Sequence, residues 1–135
     1  MNILRFLTIF LFAGFILSSC QKVFDPGSAG NARGTLPKDS TGECIPVLVN
    51  GAYTKDTLLK AANYVDIQVA ITQTGDYFVK TDTVNGYSFS GGGTASVAGL
   101  NTIRLVGTGR PISVGSNLFK IKFDSSVCAF NVTVS

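Results

Sequence analysis

The stretch Val65-Asp66-Ile67-Gln68-Val69-Ala70-Ile71-Thr72 decides the fold. Every odd position is β-branched and apolar, while the even positions are mostly polar. Successive strand side chains point to opposite faces, so this alternation describes a strand with one buried and one solvated face. Phe119-Lys120-Ile121-Lys122-Phe123-Asp124 repeats the pattern with its cations outward, and Cys128-Ala129-Phe130-Asn131-Val132-Thr133-Val134 repeats it again. Tyr77–Thr81 and Thr102–Val106 are shorter versions. Turn signals separate these runs at Thr74-Gly75-Asp76, Asn85-Gly86, Gly91-Gly92-Gly93, Gly107–Pro111 and Gly115-Ser116-Asn117. Asn85-Gly86 is a hairpin signal, because both residues tolerate positive φ. The triple glycine reads as a loop or bulge.

One segment, Thr57–Tyr64, carries a helical signal with Asp56 or Thr57 as cap, but eight residues support at most a turn or two. The expected fold is therefore all-β: an antiparallel, Ig-like β-sandwich of about seven strands over residues 43–135. Val65, Ile67, Val69 and Ile71 are expected to face Phe119, Ile121 and Phe123, with Phe130, Val132 and Val134 beside them. Immunoglobulin domains proper join two central strands by a disulfide across a buried Trp. This chain has no Trp, so the general architecture alone carries over. Polar and charged outer positions such as Asp66, Gln68, Lys120 and Lys122 discourage edge pairing and imply a monomer.

Ahead of the alternating region the composition changes. Residues 1–19 hold a short positive start, an apolar run from Phe6 to Leu17 and two serines, the three parts of a secretory signal. The run is too short to span a bilayer, which takes about 20 apolar residues. As a buried helix, apolar all round, it would need a larger core than this chain offers. Leu17-Ser18-Ser19-Cys20 resembles the lipobox of bacterial lipoproteins. That resemblance implies cleavage before Cys20 and lipidation (palmitate or similar) of its thiol, and two or three acyl chains give lasting anchorage. By the same resemblance, Gln21 implies the outer membrane. With Lys22 opposing Asp25, the surface and periplasmic sides both stay open. Residues 20–42 then read as the lipidated Cys20 and a flexible tether rich in Gly, Pro and Ser.

The whole chain carries a net charge of +3 and has neither His nor Trp. So weak a field excludes nucleic acid as a partner. Without His there is no Ser-His or Cys-His dyad, and the commonest metal ligand is missing. Asp66, Asp76, Asp82 and Asp124 sit on predicted solvent faces or turns rather than as a glycosidase pair, and Asp39, Asp56 and Asp82 are too few for a Ca²⁺ loop. Neither catalysis, nor a metal, nor a cofactor is expected. Cys44 and Cys128 are the even pair left once Cys20 is lipidated, and in an exported domain they read as a disulfide. A metal site or reactive thiol is the rival reading, with no His and no CxxC to support it.

A further resemblance covers residues 44–135. Gly51-Ala52-Tyr53, Leu58–Asn63, Thr81–Gly91 and Gly107–Pro111 resemble a module of Bacteroidota lipoproteins and large surface proteins, often repeated in tandem between similarly placed cysteines. It implies architecture and envelope location rather than an activity. Asp39-Ser40-Thr41, Asp56-Thr57-Leu58 and Asp82-Thr83-Val84 resemble the O-glycosylation motif of the same group. Three functions compete. The first is an outer-membrane lipoprotein serving as an interaction or adhesion module toward protein or carbohydrate. The second is a carbohydrate-binding lipoprotein of a nutrient-uptake system, needing two of Tyr53, Tyr64, Tyr77 and Tyr87 coplanar on one face. The third is a structural periplasmic lipoprotein without a ligand.

Overall fold

A computed structural model describes residues 28–135. The expected signal peptide, Cys20 and the first part of the expected tether lie outside the described residues. What is described is all-β: β1 (Ser28–Gly30), β2 (Arg33–Thr35), β3 (Val47–Asn50), β4 (Tyr64–Gln73), β5 (Gly75–Lys80), β6 (Tyr87–Ala95), β7 (Gly99–Gly109), β8 (Gly115–Phe123) and β9 (Ser126–Val134). All strand pairs are antiparallel. One sheet runs β1-β5-β6-β7-β4-β2, with β3 also on β4, and β8-β9 forms a second sheet. The two sheets pack face to face as a β-sandwich.

The alternation that predicted the strands also predicts the core. Val65, Ile67, Val69 and Ile71 of β4 are buried, as are Phe119, Ile121 and Phe123 of β8 and Phe130, Val132 and Val134 of β9. Tyr53, Tyr87, Phe89, Phe119 and Phe130 form an aromatic cluster at its centre, with Phe89 edge-on to Phe119 at 5.1 Å and Phe119 stacked on Phe130 at 5.7 Å. Edge and offset contacts of this kind add to the area term of burial.

The seven strands β3–β9 fall in the expected domain, and the tether reading is corrected at residues 28–42. Here β1 pairs with β5, and β2 pairs with β4 on the opposite edge of the sheet. This short stretch therefore joins both edges of the large sheet. Ala32 and Leu36 are buried in the core. The glycine content that suggested flexibility instead gives clearance. A Cβ on Gly34 would lie 2.4 Å from the carbonyl oxygen of Ala70, so only glycine lets β2 approach β4 this closely.

Gly91-Gly92-Gly93 is likewise not a loop; it lies inside β6. A Cβ on Gly91 would meet the Arg104 carbonyl oxygen at 2.1 Å, which fixes the residue type without breaking the strand. The helical signal at Thr57–Tyr64 resolves into loop over residues 57–63, with a turn at Ala61-Ala62, and Tyr64 opens β4. The Asn63 side chain accepts the Lys60 N–H at 3.0 Å and donates to the Ala52 carbonyl at 2.7 Å. Such side-chain bonds compete with the helix for backbone groups. Leu59 is buried, and its N–H donates to the Gly109 carbonyl at 2.9 Å, so the loop closes one end of the core.

At Asn85-Gly86 the hairpin forms as expected, with φ of 51° and 85° and reciprocal bonds between Val84 and Tyr87. One residue more lies on the Lys80–Val84 side than on the Tyr87–Ser90 side, because Val84 pairs with Tyr87 while Lys80 pairs with Ser90. That bulge turns Asp82 toward β8, where its N–H donates to the Lys120 carbonyl and its carboxylate accepts the Lys120 N–H at 2.9 Å.

Candidate functional site

Cys44 and Cys128 form a disulfide between residues 84 apart in sequence. The pairing beside it explains their meeting. Cys44 N–H donates to the Ala129 carbonyl at 2.8 Å, and Ala129 N–H donates to the Gly42 carbonyl at 3.0 Å. Residues 42–44 thus run along the free edge of β9 before the chain crosses to the large sheet as β3. The bond ties that crossing to the second sheet, and both sulfurs are buried.

The four aspartates considered as catalytic candidates each have a separate partner. Asp66 of β4 holds Arg104 of β7 in two bonds of 2.9 Å, the two residues being directly opposite in register. Asp76 accepts from the Thr94 hydroxyl at 2.6 Å, Asp82 from the Lys120 backbone, and Asp124 from Arg33 at 2.7 Å. Asp39 takes the Thr41 hydroxyl and two backbone N–H groups in a local turn. The Thr41 hydroxyl, then the neighbouring N–H groups, hold the Asp39 carboxyl below its ordinary value. No group of three or more metal-ligating side chains occurs among the described residues.

The tyrosines do not make a platform. Tyr53 and Tyr87 are core residues, and the Tyr77 ring lies 6.3 Å from Phe123. Tyr64 is half-buried, and the Arg104 guanidinium covers its ring at 3.7 Å. Arg104, Asp66 and Tyr64 form one unit on the outer face of the large sheet, and the hydrogen bonds to Asp66 push the guanidinium above its already high ordinary value. The strand alternation placed these residues on a common side, but their contact depends on β4–β7 register, which the sequence does not display. Leu48, opposite Asp66, and Leu100, opposite Ala70, are exposed apolar residues of the same face.

Two of the shallow clefts among the described residues bear on a site. One, of about 350 Å³, lies along the β3–β4 edge and is lined by Pro46, Val47, Leu48, Asp66, Gln68 and Thr102. The other, of about 250 Å³, opens between the end of β5 and β8, with Lys80, Asp82, Lys120 and Lys122 at its rim and Val127 in its wall. The hydroxyl residues of the glycosylation-like motifs, Ser40, Thr57 and Thr83, are all exposed outside strands. No protein-family model, curated protein or solved structure matches the chain.

Proposed function

We propose that the protein is a lipid-anchored lipoprotein of the outer membrane whose β-sandwich is a non-catalytic interaction or adhesion module. The observation that carries this reading is Leu17-Ser18-Ser19-Cys20 placed directly ahead of a disulfide-closed sandwich. The order of small residues and thiol suits lipidation, and the disulfide suits an oxidising compartment. The exposed Leu48 beside the Asp66–Arg104 pair, with Leu100 farther along β7 on the same face, supports a contact surface for another macromolecule. The tyrosine arrangement lends the carbohydrate-uptake reading no comparable support.

The test is metabolic labelling of cells with a fatty acid, comparing the native chain with Cys20→Ser. The native chain is expected to take up label and the variant to keep its signal segment without label. A labelled variant, or an unlabelled native chain, would refute the anchor. Protease treatment of intact cells then separates the surface from the periplasmic side. A photo-crosslinker at Leu48 is expected to capture an envelope component, and its failure to capture one would refute the interaction role.

A further inference from the structure

Residues 28–135 contain six lysines, and four of them surround one cleft. Lys80, Lys120 and Lys122 line it. Lys38 reaches its wall, where the ammonium donates to the Val127 carbonyl at 3.0 Å. Asp82 is the one carboxylate in the lining, and its Oδ1 accepts the Lys120 backbone N–H. Lys120 and Lys122 stand opposite Ala129 and Val127 on the solvent face of the β8–β9 hairpin, so small and apolar side chains lie between the cations. Lysine stems can cover such surface while their ammonium groups stay in water.

The position of this cluster relative to the chain gives it a partner. Ser28 pairs with Val79, the residue before Lys80, so the N-terminal segment joins the fold beside the cleft. Cys20 is eight residues before Ser28, and a chain of that length spans at most about 28 Å when fully extended. A lipid on Cys20 would therefore hold this side of the domain within that distance of the bilayer.

We infer that the cleft ringed by Lys38, Lys80, Lys120 and Lys122 is the face by which the domain rests on the anionic headgroups of its own membrane. The inference builds on the lipid-anchor reading and adds an orientation to it. Ammonium groups at the rim donate to headgroup phosphates, and this attraction falls off within a Debye length, so it acts where the tether keeps the domain close. The outer face bearing Leu48, Tyr64 and Arg104 then remains available to a partner.

The test uses the full lipidated protein reconstituted into phosphatidylethanolamine vesicles with or without phosphatidylglycerol. Acetylation of each lysine is followed by mass spectrometry. Lys80, Lys120 and Lys122 are expected to react severalfold more slowly when phosphatidylglycerol is present, and the difference is expected to vanish in high salt. Lys55 serves as the internal control. Its N–H bonds to Ser135, beyond the end of β9 remote from Val127, and its rate is expected to stay unchanged. Equal rates at all lysines on both vesicles would overturn the inference. The acyl mass on the Cys20 peptide of the same digest reports the anchor separately. If that mass is missing, the anchor reading fails and the surface is judged by sedimentation of the unanchored chain with phosphatidylglycerol vesicles. Binding abolished by the combined Lys80→Gln, Lys120→Gln and Lys122→Gln variant and restored by arginine at the same positions would support it; binding unaffected by glutamine, or no binding at all, would overturn it.

Discussion

The Tyr87 hydroxyl donates to Asn117 Oδ1 at 2.9 Å, joining the first strand after the Asn85-Gly86 turn to β8 of the opposite sheet. Asn85 completes the network. Its amide nitrogen donates to Asn117 Oδ1 and to the Ser113 carbonyl, and its oxygen accepts the Ser113 N–H and hydroxyl. A turn that the sequence announces as a hairpin is thus also the clamp on the β7–β8 connection.

Removing Tyr87's hydroxyl with Tyr87→Phe leaves Asn117 Oδ1 bonded to Asn85, so the expected loss is about 1 kcal/mol. Asn85→Ala removes four side-chain bonds and places a Cβ residue of low left-handed preference at φ 51°. Its expected loss is on the order of 2–3 kcal/mol. Asn85→Gly keeps the backbone freedom and loses only the bonds, so it should fall between the other two. Urea midpoints of the three variants check the order, and a Gly variant as stable as native would sink the clamp.

Burial pushes the Tyr87 hydroxyl up to about 12. Burial first, and then repulsion from Tyr87, push Tyr53 up as well. Below pH 10, the ordinary tyrosine value, both rings are neutral in folded and unfolded chains and their stabilising effect is fully present. As pH rises past that point the unfolded chain loses phenolic protons first, so the folded state loses stability until Tyr87 itself titrates. The expected loss from Tyr87 is on the order of 2 kcal/mol by pH 12. Stability curves in urea across this window should slope downward, and Tyr87→Phe should make them shallower, the Tyr53 contribution remaining. A native slope unchanged by the substitution would contradict the assignment.

Leu36 lies in the segment expected to be tether, yet it is 3% exposed, and its N–H takes the Ser126 hydroxyl oxygen as acceptor at 2.9 Å. Leu36→Ala should therefore cost about 2–5 kcal/mol, as truncation of a buried leucine does. A flexible tether would lose nothing measurable. Thermal or urea unfolding of the variant decides between the two.

What the sequence displayed was periodicity, and what it concealed was register. Val65–Ile71 and Phe119–Phe123 reveal their buried faces because strand side chains alternate without reference to any partner. Gly34 and Gly91 mislead for the opposite reason. Their meaning lies in the Ala70 and Arg104 carbonyls that approach them, which belong to other strands. The same holds for the sites: the Cys44–Cys128 pair follows from cysteine count and the expected oxidising compartment, whereas the Lys38–Lys80–Lys120–Lys122 ring gathers residues from three segments. Lys120 and Lys122 were legible only as outward-facing cations. Lys80 and Lys38 join them through the bulge at Asp82 and the crossing at residues 38–44.

The disulfide closes a loop long enough for its removal to weigh heavily. With cysteines 84 apart, restriction of the unfolded chain contributes about 4.5 kcal/mol by loop-closure entropy. That is a large share of the 5–15 kcal/mol typical of a whole domain. Reduction does not remove everything at the crossing, because the Cys44 and Ala129 backbone bonds and the Asp39 turn remain available to hold residues 39–44 against β9. The reduced protein should therefore keep its all-β circular dichroism at low temperature while unfolding at markedly lower urea. Comparing oxidised and reduced protein under identical conditions, with thiols counted to confirm the redox state, gives the difference directly. A loss below about 1 kcal/mol would mean that the unfolded chain is already compact around residues 44 and 128, leaving the bond little entropy to restrict.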